Sequence, residues 1–134
     1  MPVKLSTEDI RVIAAFERIT RVHARDCLIT ERCVYFLVEP DKIGVAIGKD
    51  GSTIKEVHRM LNRPVKVFAD AETAEALLKS IIPSATSIEV NDGIATVAVP
   101  SQEKVQVIGR GGANIKAVRE LLERHFGLKN VRVK

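Results

Sequence analysis

Two short stretches hold the residues best placed to do chemistry: Gly48-Lys49-Asp50-Gly51 and Gly109-Arg110-Gly111-Gly112. Each pair of glycines is preceded by an isoleucine (Ile47, Ile108) and followed by a second isoleucine (Ile54, Ile115) and a lysine (Lys55, Lys116). A glycine-bounded link turns the chain sharply and carries no side chain at its ends. The backbone of a polyanion can then approach the main chain closely. A helix that follows such a link offers free N–H groups and the positive end of its dipole. Lys49 and Arg110 add a cation at each tip. A two-glycine link also joins ordinary helix pairs, but two such links with a base at the same position point to phosphate contact.

Other phosphate and catalytic chemistries fail on spacing. Gly44-Val45-Ala46-Ile47-Gly48-Lys49-Asp50 has three residues between its glycines where a P-loop has four, and Asp50 stands where the magnesium-binding hydroxyl belongs. The second loop lacks the later glycine of a dinucleotide fingerprint. Cys27 and Cys33 have no CxxC spacing and read as two small buried thiols in neighbouring strands. His23, His58 and His125 are scattered, with no partner at ligand spacing. No catalytic residue, metal site or cofactor is therefore expected, and an enzyme is the weakest reading.

The charge lies where the glycines lie. The chain has 134 residues and a net charge of +4, from 21 basic and 17 acidic side chains. Residues 42–66 hold six bases against two acids, and residues 100–119 four against one, so the remainder is net acidic. A basic surplus confined to two loops signals phosphate-backbone contact. With no Trp, one Tyr and four Phe, a platform of stacking aromatics is not expected. An apolar share of 46% with 28% charged residues is an ordinary globular balance. No apolar run approaches the roughly 20 residues that a membrane helix needs. The opening MPVKLSTEDI has no apolar h-region, so no secretory signal and a cytoplasmic location are expected.

The elements that must position the loops repeat with them. Shifted by 61 residues, Ile47–Leu61 superposes without a gap on Ile108–Leu122, with seven of fifteen pairs identical. The pattern predicts a helix from Thr7 to Arg21, strands Ala24–Ile29 and Cys33–Val38 about a Thr30-Glu31-Arg32 turn, and a short helix Asp41–Ile47. A helix Ser52–Leu61 and a strand Val65–Phe68 follow. The second series is a helix Ala71–Ile82 capped by Asp70, strands Ser87–Val90 and Ile94–Val99 about Asn91-Asp92-Gly93, and a short helix capped by Ser101 and reaching Val107. A helix Asn114–Phe126 and a strand Val131–Val133 complete it. Almost no linker remains between Phe68 and Ala71, so two domains, 1–69 and 70–134, are expected to act as one rigid body.

The run Ile-Gly-x-x-Gly-x-x-Ile-Lys leading into an apolar helix resembles the KH domain, whose GXXG loop clamps about four nucleotides. A helix and a strand placed before that core resemble the type II variant. Two such copies with almost no linker are similar to the tandem KH pair of the NusA family. The length resembles its short archaeal members, which lack the polymerase-binding N-terminal domain and the S1 domain of bacterial relatives. The resemblance covers essentially the whole chain. It implies an α+β fold of two tandem type II KH domains, each a three-stranded sheet packed by helices. It implies a single-stranded RNA-binding protein in transcription termination or antitermination. The implied loop contacts are Gly48, Lys49, Asp50 and Gly51, and Gly109, Arg110, Gly111 and Gly112, with Lys55 and Lys116 on the backbone. The implied groove floors are Ile43, Ile47 and Ile54, and Val105, Ile108 and Ile115. Val65–Phe68 and Val131–Val133 match the strand forming the other groove wall. Asp50 departs from the pattern by placing negative charge where phosphate passes, so the second copy is expected to bind more strongly. Besides RNA, the implied partner is RNA polymerase or, in the alternative reading, the ribosome during function or assembly. A protein-interaction scaffold built on degenerate copies is the third reading, and no membrane partner is expected.

Overall fold

The computed structural model describes residues 6–134, and within them the chain divides between Asp70 and Ala71 into two compact units. Residues 1–5, which open the stretch read above for a secretory signal, lie outside the described residues.

The first unit begins with α1 (Thr7–Thr20). Ser6 Oγ accepts from the Asp9 N–H at 3.1 Å while the Asp9 carboxylate accepts from the Ser6 N–H at 2.9 Å, a reciprocal cap that satisfies two orphan donors. Arg21 ends the helix in the left-handed region, at φ 63°. There follow β1 (Asp26–Ile29), β2 (Val34–Val38), α2 (Ile43–Ile47), α3 (Ser52–Leu61) and β3 (Val65–Ala69). The second unit repeats the order as α4 (Ala74–Ile81), β4 (Ser87–Asn91), β5 (Ile94–Ala98), α5 (Lys104–Ile108), α6 (Ala113–Phe126) and β6 (Asn130–Val133). Short 3-10 turns, Pro40–Lys42 and Ser101–Glu103, lead into α2 and α5.

Each unit is α+β, with one three-stranded sheet: β1-β2-β3 and β4-β5-β6. The first two strands of each are antiparallel and the last two parallel. The offset of 61 holds in the register, since Asp26 faces Leu37 and Ser87 faces Ala98. Even the bulge at the strand entry recurs, with the Arg25 N–H on Leu37 O and the Thr86 N–H on Ala98 O, both 2.7 Å. The offset ends in α6, which runs one turn beyond the end of α3 before Gly127 caps it at φ 68°.

The alternation of the strands decides the core. In the first unit Cys27, Val34, Phe36 and Val38 share a face with Phe16, Val22, Ala24, Ala46 and Val57, and Phe16 stacks on Phe36 with centroids 4.0 Å apart. In the second, α6 packs on α4 and β6 through buried Leu77, Val118, Leu121, Leu122 and Val131. Cys27 and Cys33 are buried free thiols, and burial pushes the Cys33 thiol up.

Two caps fall elsewhere than the sequence predicts. The fourth helix starts at Ala74, where Thr73 Oγ1 accepts from the Ala76 N–H at 3.1 Å. Asp70 instead closes the first unit, its N–H on Val38 O at 2.8 Å and its carboxylate beside Arg25 at 3.3 Å. Ser101 makes no cap: it is the first residue of the 3-10 turn that follows Pro100, whose fixed φ suits a helix entry. Strands β1 and β2 begin at Asp26 and Val34 because the bulge and the Thr30–Cys33 turn bonds occupy the residues before them.

Candidate nucleic-acid interface

The two glycine loops have one conformation. Gly48 lies at φ 76°, ψ 172° and Gly109 at φ 78°, ψ 168°. Asp50 (φ 55°, ψ 27°) matches Gly111 (φ 62°, ψ 20°), and Gly51 (φ 74°, ψ 14°) matches Gly112 (φ 76°, ψ 14°). A bond from the second glycine's N–H to the first glycine's carbonyl closes each turn, at 3.1 and 3.0 Å. Position 50 is therefore left-handed, a region that Asp tolerates better than most side chains because its short polar group bonds locally. The repeat carried that signal, since a glycine occupies the same place in the second copy.

The first glycine of each loop is required for two reasons. Its φ and ψ lie in a region that is essentially glycine-only. A Cβ at Gly48 would also collide with Thr53, its Cβ at 2.8 Å and its backbone N at 2.9 Å, and one at Gly109 would meet Asn114 Cβ at 2.8 Å. The following helix thus packs directly against the turn. Asn114 reinforces this by donating from Nδ2 to Val107 O at 2.8 Å, a tie between α5 and α6 that the sequence reading did not single out. At Gly51 and Gly112 an added Cβ would make ordinary contacts of 3.8–3.9 Å, so conformation alone favours glycine there.

The entries of the four longer helices differ. Helices α1 and α4 are capped by the side chains of Ser6 and Thr73, whereas α3 and α6 start on Gly51 and Gly112 with no side-chain cap. The first N–H of each helix, on Ser52 and Ala113, donates to the carbonyl of Lys49 or Arg110, so an anion there meets the remaining first-turn N–H groups and the positive end of the dipole. Lys55 and Lys116 return over the loops: their Cε atoms lie 3.8 and 3.9 Å from where a Cβ on Gly51 or Gly112 would stand. Lys49, Lys55, Arg110 and Lys116 are exposed, and none has an acidic partner among the described residues. By contrast, Arg25 is held between Glu39 and Asp70 at 3.3 Å from each.

The apolar candidates separate by exposure. Ile47 and Ile108 are each 37% exposed beside their loops, and Val105 is 80% exposed. Ile43 and Ile54 are half-buried and pack against the core of the first unit. Ile115 is buried, with 5% exposure. Strand β3, beside α2, has a half-buried face of Val65 and Val67, and β6 lies beside α5 with Val131 buried and Val133 half-buried.

Comparison with known proteins agrees with this geometry. The family model described as KH domain matches residues 11–81, a span that begins in α1, contains the first loop and ends with α4. A protein of Halococcus morrhuae named "Probable transcription termination protein NusA" is 33% identical over 136 residues, covering 98% of both chains. A Halobacterium salinarum protein of the same name is 33% identical over 138 residues, covering 99% of both. The crystal structure of APE1850 aligns at a TM-score of 0.81 and 28% identity, covering 97% of this chain and 100% of that one. With an Ile-Gly-x-x-Gly turn set between two helices, and relatives that align from end to end, the chain belongs to the KH-domain family and, within it, to the NusA-like proteins.

Proposed function

We propose that the chain is a non-enzymatic, single-stranded RNA-binding protein acting in transcription termination or antitermination, and that it comprises two tandem type II KH domains, 1–69 and 70–134. One observation carries the reading. The same left-handed glycine turn occurs twice, each followed by a helix with no side-chain cap and each flanked by two cations with no acidic partner among the described residues. Two basic loops at the positive ends of helix dipoles are matched by a chain of phosphates. Gly48, Lys49, Gly51 and Lys55, with Gly109 to Gly112 and Lys116, hold the RNA backbone. Ile47, Ile108 and Val105 offer apolar surface to bases laid beside it. The full-length relatives named for transcription termination support RNA polymerase over the ribosome as the associated assembly.

Fluorescence anisotropy with a short single-stranded RNA tests the reading. Lys49→Glu combined with Arg110→Glu is expected to weaken binding by about tenfold, since charge-assisted contacts are roughly twice as strong as neutral ones. Unchanged affinity would reject the loops as the interface. Co-purification from cells with ribosomal subunits, and not with RNA polymerase, would favour the ribosomal reading.

A further inference from the structure

The second unit leaves one edge of its sheet open beside a groove. Strand β4 is terminal in the order β4-β5-β6, and an open groove of about 460 Å³ lies where its first half meets α4, lined by Glu75, Ala76, Lys79, Ala85 and Ile88 among others. Asp92 and Gly93, at φ 54° and 78°, form a two-residue turn closed by the Asn91–Ile94 pair. Such a turn makes the closing pair a mutually bonded one, and bonded pairs alternate along an antiparallel ladder. Ser87, Glu89 and Asn91 therefore bond inward to β5, while Ile88 and Val90 direct their N–H and C=O groups to the free edge. The first unit closes the matching position, where the Cys27 N–H donates to Asp26 Oδ1 at 2.7 Å. Ser87 stands where Asp26 does, and no such bond forms to the Ile88 N–H among the described residues.

The surroundings specify what can pair there. Ile88, which lines the groove, and Val90 are half-buried on the inner face, so apolar side chains opposite them extend that face, the one beside Ile88 entering the groove. Glu89 is exposed on the outer face, in a row with Thr96 and Arg132, and neither it nor Glu75 has an ionic partner among the described residues. The Lys79 ammonium donates to Pro83 O and Ala85 O, at 2.9 and 2.7 Å, and forms no ion pair with either carboxylate among the described residues. A second copy docked edge to edge in a register centred on the strand sets Glu89 against Glu89, which opposes self-pairing. An incoming strand with a lysine or arginine opposite Glu89 and apolar neighbours on each side pairs Glu89 and the outward N–H and C=O groups of Ile88 and Val90, while Glu75 stays exposed to solvent. We propose that the β4 edge is a docking site for an extended protein segment of alternating apolar and basic residues, added to the sheet as a fourth strand.

The test uses the ¹⁵N-labelled full chain and two blocked peptides, Thr-Val-Lys-Val-Thr and Thr-Val-Glu-Val-Thr. The lysine peptide is expected to move the amides of Ile88 and Val90 and those of α4 while leaving residues 48–51 and 109–112 unmoved. Glu89→Lys is expected to weaken the lysine peptide by about threefold and strengthen the glutamate peptide, as a cross-strand charge pair does. Perturbation centred on the glycine loops, no perturbation at millimolar peptide, or equal binding of both peptides before and after Glu89→Lys would each overturn the proposal.

Discussion

Asp50 separates electrostatics from backbone geometry in a single residue. Its carboxylate sits at an exposed loop tip, in the turn before the uncapped entry of α3. A phosphate held there would lie roughly 6 Å away, where like charges in water repel by about 0.7 kcal/mol and at a surface dielectric by a few-fold more. Screening at physiological salt halves this, leaving roughly 0.4–1 kcal/mol, or about twofold to fivefold in affinity. The same residue holds φ 55°, which glycine adopts without cost and asparagine tolerates. Asp50→Asn and Asp50→Gly therefore remove the same charge and differ in backbone freedom. Both are best read by anisotropy with a short RNA in an Arg110→Ala, Lys116→Ala background, so that the first loop dominates. Each should strengthen binding by about twofold to fivefold at physiological salt and by more at low salt. Gly111→Asp in the otherwise intact chain should weaken binding more than Asp50→Gly strengthens it. A gain under about twofold from both variants, roughly 0.4 kcal/mol, would refute the charge argument. A gain from glycine but not from asparagine would shift the cause to the backbone.

Four further outcomes can be measured. Gly48→Ala, which meets both a glycine-only conformation and the backbone N of Thr53, should destabilise by about 2–4 kcal/mol, and Gly51→Ala by only about 1 kcal/mol. Thermal melts showing the reverse order would contradict the packing described above. If Lys49, Lys55, Arg110 and Lys116 supply the phosphate contacts, the slope of log K against log salt should be about −3. A slope near zero would remove electrostatics from the interface. RNAs of roughly eight to eleven nucleotides should bind far more tightly than tetramers, since a second tethered contact adds about 10²–10⁴ in affinity; a plateau at four or five would mean that the loops bind separately or that one is silent. Burial pushes the Tyr35 phenol up to about 12. The stabilisation tied to its protonated form is thus complete below about pH 10 and lost as pH rises toward 12. Denaturant midpoints should fall more steeply over that window in the natural chain than in Tyr35→Phe, which keeps the buried Cys33 thiol, and equal declines would discount the residue.

Local chemistry was legible in the sequence because it depends on neighbours in the chain. The pattern placed a helix start at Thr7, a hairpin turn at Asn91-Asp92-Gly93 and a helix end at Phe126, and each is found there, the first secured by the Ser6–Asp9 cap and the last by Gly127. The 61-residue repeat placed the glycine turns, and Lys55 and Lys116 do lie over them, one helical turn on. Other features came from contacts between residues distant along the chain. Asp70 reads as a helix cap, but Val38 O and Arg25 claim it, and the cap passes to Thr73. The family resemblance assigned Ile115 and Val105 to one groove floor, yet the packing of α6 buries the first at 5% while α5 leaves the second 80% exposed. Periodicity identifies an apolar face, whereas what covers that face depends on the element packed against it. The open edge of β4 belongs to the same class: alternation marks it as a strand, and only the order of the finished sheet leaves its outer bonds unpaired.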